Sequence, residues 1–166
     1  MSTKDNLKDA FAGESQANRK YLAFAQKAQE EGHSQIAKLF RAAAEAETVH
    51  AHSHLRVMGG IKSTDDNLRA AIEGEGFEFQ QMYPQYVQEA EKENNKDAVM
   101  SFNNALAVEK IHYKLYGEAL KTVEAKKDLP ASDIYVCQVC GNTVLGQAQE
   151  KCPICGSPRY KFKEIR

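Results

Sequence analysis

The sequence predicts an all-α four-helix bundle followed by a small cysteine-rich β/loop module. Three observations predict it. Up to about Lys127 the chain is rich in Ala, Glu, Gln, Lys and Leu, which favour helix. Four stretches there carry apolar residues in alternating steps of three and four, with breaks at Gly32, Gly59-Gly60 and Asn94-Asn95. All the cysteines lie between 137 and 155, as two Cys-x-x-Cys pairs.

The first helix is expected from near Thr3 to Glu31, with Gly32 as its C-cap glycine. Its inward stripe reads Leu7, Phe11, Glu14, Asn18, Tyr21, Ala25 and Ala28. The second is expected from Ser34, a favoured N-cap residue, to Gly59-Gly60. Its stripe reads Ile36, Phe40, Ala43, Glu47, His50, His54 and Val57. The third runs from Ser63-Thr64 to about Glu93 with Leu68, Ile72, Glu75, Phe79, Met82 and Tyr86 on its face. Pro84 lies inside it and predicts a kink or local break. The fourth follows Asn94-Asn95 and ends near Lys127, with Phe102, Leu106, Glu109, His112, Tyr116, Leu120 and Val123 inward. The expected division is therefore a bundle over 1–127, a linker over 128–133 and a cysteine module over 134–166. That module is too small to fold without a metal.

Composition narrows the function classes. The chain has 166 residues and a formal net charge of -1, so no basic field awaits nucleic acid. No apolar run reaches membrane-spanning length, and the polar stretch from Met1 to Asp9 has no signal-peptide core. A soluble, cytoplasmic protein with neither nucleic-acid nor membrane partners is expected.

The stripes carry acids and imidazoles where apolar residues belong. Glu47 with His50, and Glu109 with His112, are i, i+3 pairs that leave one helix face a turn apart. Glu14 and Glu75 stand alone on the other two helices. A lone Glu on each of two helices, with Glu-x-x-His on each of two others, is the ligand set of a four-helix carboxylate di-iron bundle. The interval from Glu14 to Glu47 matches that from Glu75 to Glu109 to within one residue. The chain therefore reads as two helical hairpins, each giving one Glu and one Glu-x-x-His. Glu78, one turn from Glu75, breaks the symmetry, because its counterpart is Ala17; it offers a seventh ligand. A single such Glu would read as a solvated edge residue. Four matched carboxylates on apolar stripes need a cation, since burying them uncompensated would cost many kcal/mol. Carboxylate with imidazole suits iron or manganese. His54 reads as a core or neighbouring histidine, and His52 and His33 as solvated. Tyr21 and Tyr83 flank the acidic stripes, where a carboxylate can accept from a buried hydroxyl; Tyr116 serves core packing equally well.

Cys137-x-x-Cys140-Gly and Cys152-x-x-Cys155-Gly are two knuckles of one pattern, and a glycine after each second cysteine lets backbone amides turn toward sulfur. Four thiolates bind a mononuclear iron or a zinc. Beside a redox-capable di-iron site, iron is the more economical reading, with zinc as a substitute.

With these residues in view the chain resembles the rubrerythrin family, a ferritin-like di-iron domain followed by a rubredoxin-like domain, over essentially its whole length. The resemblance rests on Gly13-Glu14-Ser15-Gln16-Ala17 with Tyr21, Glu47-x-x-His50, Gly74-Glu75-x-x-Glu78 with Met82-Tyr83-Pro84, Glu109-x-x-His112, and the paired knuckles. It implies reduction of hydrogen peroxide to water, with electrons arriving through a rubredoxin-like iron centre held by Cys137, Cys140, Cys152 and Cys155. It implies Glu14, Glu47, Glu75, Glu78, Glu109, His50 and His112 as di-iron ligands and Tyr21 and Tyr83 as neighbouring tyrosines. It also implies a rubredoxin or a flavoprotein reductase as electron donor. Asn142 departs from the pattern, because rubredoxin-like modules often carry an aromatic there; a more polar iron–sulfur site is expected.

Charge suggests how such a site turns over. Five carboxylates suit the ferric pair better than the ferrous one, so exchange of anionic Glu78 for neutral His50 on reduction is expected. The connection from Gly59 to Thr64 suggests the assembly. A long crossover would have to span about 31 Å, whereas six extended residues reach about 20 Å. Either the topology is simple up-down, or the second hairpin is a partner chain's, giving a domain-swapped homodimer. Two other functions compete: a ferroxidase or iron-handling protein using dioxygen, and a zinc-ribbon binding protein with a structural metal bundle.

Overall fold

The computed structural model describes residues 2–166. The chain forms two compact units, Met1–Lys62 and Ser63–Arg166. The second hairpin and the cysteine module share one unit. Among the described residues no helix is long and apolar enough to cross a membrane.

The first unit is an antiparallel pair, α1 (Thr3–Glu30) and α2 (Ser34–Val57). Ser2 opens α1 with a capping box: its Oγ accepts from the Asp5 amide at 3.2 Å, and the Asp5 carboxylate accepts from the Ser2 amide at 2.9 Å. At the far end Gly32 takes φ 83°. The Gly32 amide bonds to the Gln29 carbonyl and the His33 amide to that of Ala28, the paired bonds of a Schellman closure. His33 closes α1 and at once caps α2, so Ser34 is the first helical residue and not the N-cap.

The buried line of α2 also differs from the expected one. Ala37, Ala44 and Ala51 are its buried residues, whereas Ile36, Val57 and His50 are exposed. Small side chains at heptad spacing let the two backbones approach closely, so alanine marks the contact. Ala25, Ala28 and Asn18 face them from α1. Asn18 is buried, and its amide donates to the Ala44 carbonyl (2.7 Å) and to Thr48 Oγ1 (2.8 Å).

The second unit begins with α3 (Thr64–Phe77), which starts where expected and is capped by Ser63. A π-helical segment, Glu78–Met82, follows, and then α4 (Tyr83–Lys92). The expected break therefore falls just before Pro84. An interior proline costs a helix roughly 3 kcal/mol or more through a missing donor and a ring clash. The wider π turn lets Pro84 enter in the opening turn of α4, where proline is tolerated. Asn94 then takes φ 57°, and the Asn95 amide bonds to the Ala90 carbonyl. Asn95 also caps α5 (Lys96–Glu124), its Oδ1 accepting from the Ala98 amide at 3.1 Å. This turn is built like the Gly32-His33 turn of the first hairpin. Helix α5 stops three residues before Lys127, where Lys126 adopts φ 56° and closes it.

The cysteine module carries three short antiparallel strands, β1 (Ile134–Cys137), β2 (Thr143–Leu145) and β3 (Phe162–Ile165), in the order β2-β1-β3. Val136 pairs with Thr143, and Cys137 with Phe162. The sheet presents the two knuckles at one end.

Candidate metal centres

Each unit gathers one half of the expected carboxylate set. On α1 and α2, ligand atoms of Glu14, Glu47 and His50 lie within 4.8 Å of one another. His50 Nδ1 is 3.0 Å from Glu47 Oε2, as the i, i+3 spacing requires. Glu14 and Glu47 share a hydrogen bond, so the Glu14 carboxyl is held above its usual range by that bond, by burial and by the Glu47 charge. The same bond holds Glu47 below its range. His54 is close enough to Glu14 to act against its shift.

On α3 and α5 the same construction recurs. Ligand atoms of Glu75, Glu109 and His112 lie within 4.8 Å. His112 Nδ1 is 2.8 Å from Glu109 Oε2 and 3.7 Å from Glu75 Oε1. Burial, then the bond and charge of Glu109, then the charge of Glu78 push Glu75 up to about 7. Glu78 lies beside this cluster and outside its 4.8 Å limit. Burial first, then the Glu109 charge, push Glu78 up as well.

Tyr83 faces these acids. Burial and the charges of Glu78, Glu109 and Glu75 hold its hydroxyl above the usual range. Tyr21 packs against Phe24 and Phe40, with ring centroids 6.3 and 6.2 Å away. The Tyr116 ring lies 6.4 Å from that of His112. Facing carboxylates of like charge, each with an imidazole nitrogen turned to them, fit a hard or borderline cation.

The four cysteine sulfurs also lie within 4.8 Å of one another. Cys137 and Cys155 Sγ are 3.7 Å apart and Cys140 and Cys152 Sγ 3.6 Å, far beyond disulfide length. Metal–thiolate bonds of about 2.3 Å in tetrahedral array set edges of this size. Gly141 (φ 84°) and Gly156 (φ 73°) turn their amides back to the Cys137 and Cys152 carbonyls, both at 2.9 Å. Burial pushes the Cys140 thiol up. Burial also acts to raise Cys155, but hydrogen bonding from Ser157, Cys140 and Cys152 outweighs it and brings that thiol to about 6. Asn142 is 2% exposed, and its Nδ2 donates to Cys152 Sγ at 3.7 Å.

Two contacts of these centres were not legible in the chain. Ser157 Oγ lies 3.2 Å from Cys155 Sγ. Thr143 Oγ1 lies 2.8 Å from His112 Nε2, joining the cysteine module to the helical half-site within the second unit. No spacing rule links a strand residue to a helix residue so far away in the chain.

Comparison with known proteins accounts for the pairing of these centres. The rubrerythrin family model matches residues 5–120, and that of the rubrerythrin rubredoxin-like domain matches residues 135–163. Rubrerythrin-2 of Clostridium acetobutylicum is 37% identical, over 97% of this chain and 95% of that relative. Nigerythrin of Nitratidesulfovibrio vulgaris is 36% identical, over 97% of this chain and 85% of its own. The solved structure of fully reduced, all-ferrous nigerythrin aligns with a TM-score of 0.59 at 35% identity, covering 99% of this chain and 87% of that one. The fold is thus a ferritin-like helical domain followed by a rubredoxin-like domain, with candidate di-iron and four-cysteine iron sites. By these matches the chain belongs to the rubrerythrin family.

Proposed function

We propose that the chain is a cytoplasmic peroxidase that reduces hydrogen peroxide to water, taking two protons and two electrons per peroxide. One observation supports this reading above the rest: the 2.8 Å contact between Thr143 and His112 sets the thiolate module against a carboxylate half-site. An iron store has no need of such an electron inlet, whereas a reductase does. A rubredoxin or a flavoprotein reductase is the proposed donor to the thiolate-bound iron.

Glu14, Glu47 and His50, with Glu75, Glu109 and His112, are the proposed ligands of the iron pair. A ferrous pair held by these residues would supply the two electrons that cleavage of the O–O bond needs. Glu78 and His50 are proposed as alternative donors: the anionic carboxylate serves the oxidised state and the neutral imidazole the reduced one. Tyr83, its hydroxyl held protonated beside Glu78 and Glu109, supplies or orients a proton near the reacting oxygen. Tyr21 does the same from the first hairpin. The short Gly59–Thr64 connection supports a homodimer in which the first hairpin of one chain completes the second hairpin of the other. Leu22, Phe24, Ile36 and Leu39 of the first hairpin are exposed, leaving apolar side chains for a partner to cover.

The test is one anaerobic mixing experiment. The iron-loaded protein is reduced and mixed with a small excess of hydrogen peroxide, and the thiolate-to-iron colour is followed. Rapid return of colour, faster than with dioxygen, is expected. Return with dioxygen alone would make the chain an oxidase or ferroxidase. No colour in either state would mean zinc in the knuckles and no electron inlet.

A further inference from the structure

We propose that Thr143 is a positioning residue for His112: its hydroxyl fixes which imidazole nitrogen faces the metal site. The inference rests on the reading of Glu75, Glu109 and His112 as iron ligands.

The donor count supports it. A hydroxyl has one proton and two lone pairs. The Gly141 carbonyl, 3.2 Å from Thr143 Oγ1, can only accept and so offers that proton a partner. With the proton placed there, the 2.8 Å contact with His112 Nε2 uses a lone pair of the hydroxyl, and Nε2 carries the hydrogen. In the neutral ring Nδ1 is left with its lone pair, and Nδ1 is the nitrogen turned to Glu109 and Glu75. Ligation requires that tautomer. The surroundings strengthen the bond, because Leu68, Leu115, Ile134 and Leu145 line an apolar cleft around His112 and Thr143.

The register of the knuckle explains how one short segment serves two sites. Successive residues of an extended strand point to opposite faces. Asn142, just before β2, turns its amide to Cys152 Sγ, and Thr143, the first residue of β2, turns its hydroxyl to His112. Gly141, whose carbonyl offers the Thr143 proton a partner, is the knuckle glycine after Cys140. The hydroxyl that orients His112 is thereby oriented by the thiolate loop. In the first unit His50 has no equivalent: its ring is more than half exposed and bonds to Glu47 alone among the described residues.

The experiment compares full-length, iron-loaded wild type with T143V and T143S. Bundle iron is measured as the rate of its loss to a ferrous chelator, while the visible spectrum reports the thiolate-bound iron separately. Loss of bundle iron is expected to be roughly 10–100-fold faster in T143V, as for other groups that orient a ligand. T143S, which keeps the hydroxyl and loses the methyl, is expected to restore slow loss. The thiolate-to-iron spectrum is expected to stay unchanged in both. Wild-type retention by T143V would overturn the inference, and so would a T143S chain as leaky as T143V. A shifted thiolate-to-iron spectrum in T143V would also overturn it, because Thr143 would then be acting on the knuckle. Absence of bundle iron from the wild type itself would overturn the ligand reading on which the inference stands.

Discussion

The Tyr83 amide donates to the Glu78 carbonyl, five residues back along the chain. This π bond absorbs one extra residue. Tyr83 follows Glu75 by one residue more than Tyr21 follows Glu14, yet the two tyrosines occupy equivalent places. Phe24 and Phe40 pack edge-on with centroids 5.6 Å apart beside Tyr21, and Tyr86 and Phe102 pack tilted with centroids 5.6 Å apart beside Tyr83. Tyr21 lies 6.2 Å from Phe40, and Tyr83 lies 6.3 Å from Phe102. The hairpins are thus repeats that differ by a single-residue π insertion. The carboxylate without a counterpart, Glu78, sits at its first residue, and such insertions are frequent at functional sites.

Glu78 stands beside the Glu75–Glu109–His112 cluster without entering it. Glu78→Ala is therefore expected to retain most bundle iron, because three donors of that half remain. Peroxide turnover is expected to fall roughly 10–100-fold, the usual effect of losing a group that tunes a metal site. Iron content by metal analysis and turnover by stopped-flow check the two halves separately. Turnover equal to wild type would remove Glu78 from the mechanism.

Glu75 makes the metal-free protein sensitive to pH. Its carboxyl is raised to about 7 by burial first and then by Glu109. An acid raised on folding binds its proton more tightly in the native state. Its stabilising contribution is complete below the unfolded value near 4.5 and is lost as pH rises through about 7. The metal-free wild type should therefore lose thermal stability between those values relative to Glu75→Gln, which has no proton to release. Iron uptake should show the opposite trend and weaken as pH falls below about 7, because ligation needs the carboxylate. Parallel melting curves for the two proteins across that window would show that Glu75 does not titrate there.

What is legible in the chain follows the range of the interaction. Glu47 with His50 and Glu109 with His112 can be paired from sequence, because one helical turn fixes their neighbourhood. The knuckles are legible for the same local reason. The true α2 contact line is hidden, since Ala37, Ala44 and Ala51 carry a weaker apolar signal than Ile36 or Val57 beside them. Ser34 reads as a cap because serine favours that position. The Schellman closure instead places His33 there, a backbone event that side-chain preference does not report. Pro84 announces a break, but not that a π turn carries it. The Thr143–His112 contact joins a strand to a helix, and no local rule reaches that far.

Asn142 is expected to raise the potential of an iron held by the four cysteines. It stands where an aromatic is common in rubredoxin-like modules, and it is almost wholly buried. Its amide donates to Cys152 Sγ at 3.7 Å. An iron centre held there would carry one more negative charge when reduced, part of it felt at the thiolate sulfurs. A hydrogen bond to sulfur in a buried setting therefore stabilises the reduced state more and raises the potential. Asn142→Leu keeps the volume close and removes the donor. The potential of its thiolate-bound iron is expected to fall below that of the wild type in a potentiometric titration followed by the visible thiolate-to-iron band. Asn142→Asp separates polarity from hydrogen bonding, because a carboxylate is polar but cannot donate; its potential is expected to fall further, like charge being added beside thiolate. The backbone amide of residue 142 is present in all three proteins, so its contribution cancels in the comparison. An unchanged potential in Asn142→Leu would assign the tuning to backbone amides alone.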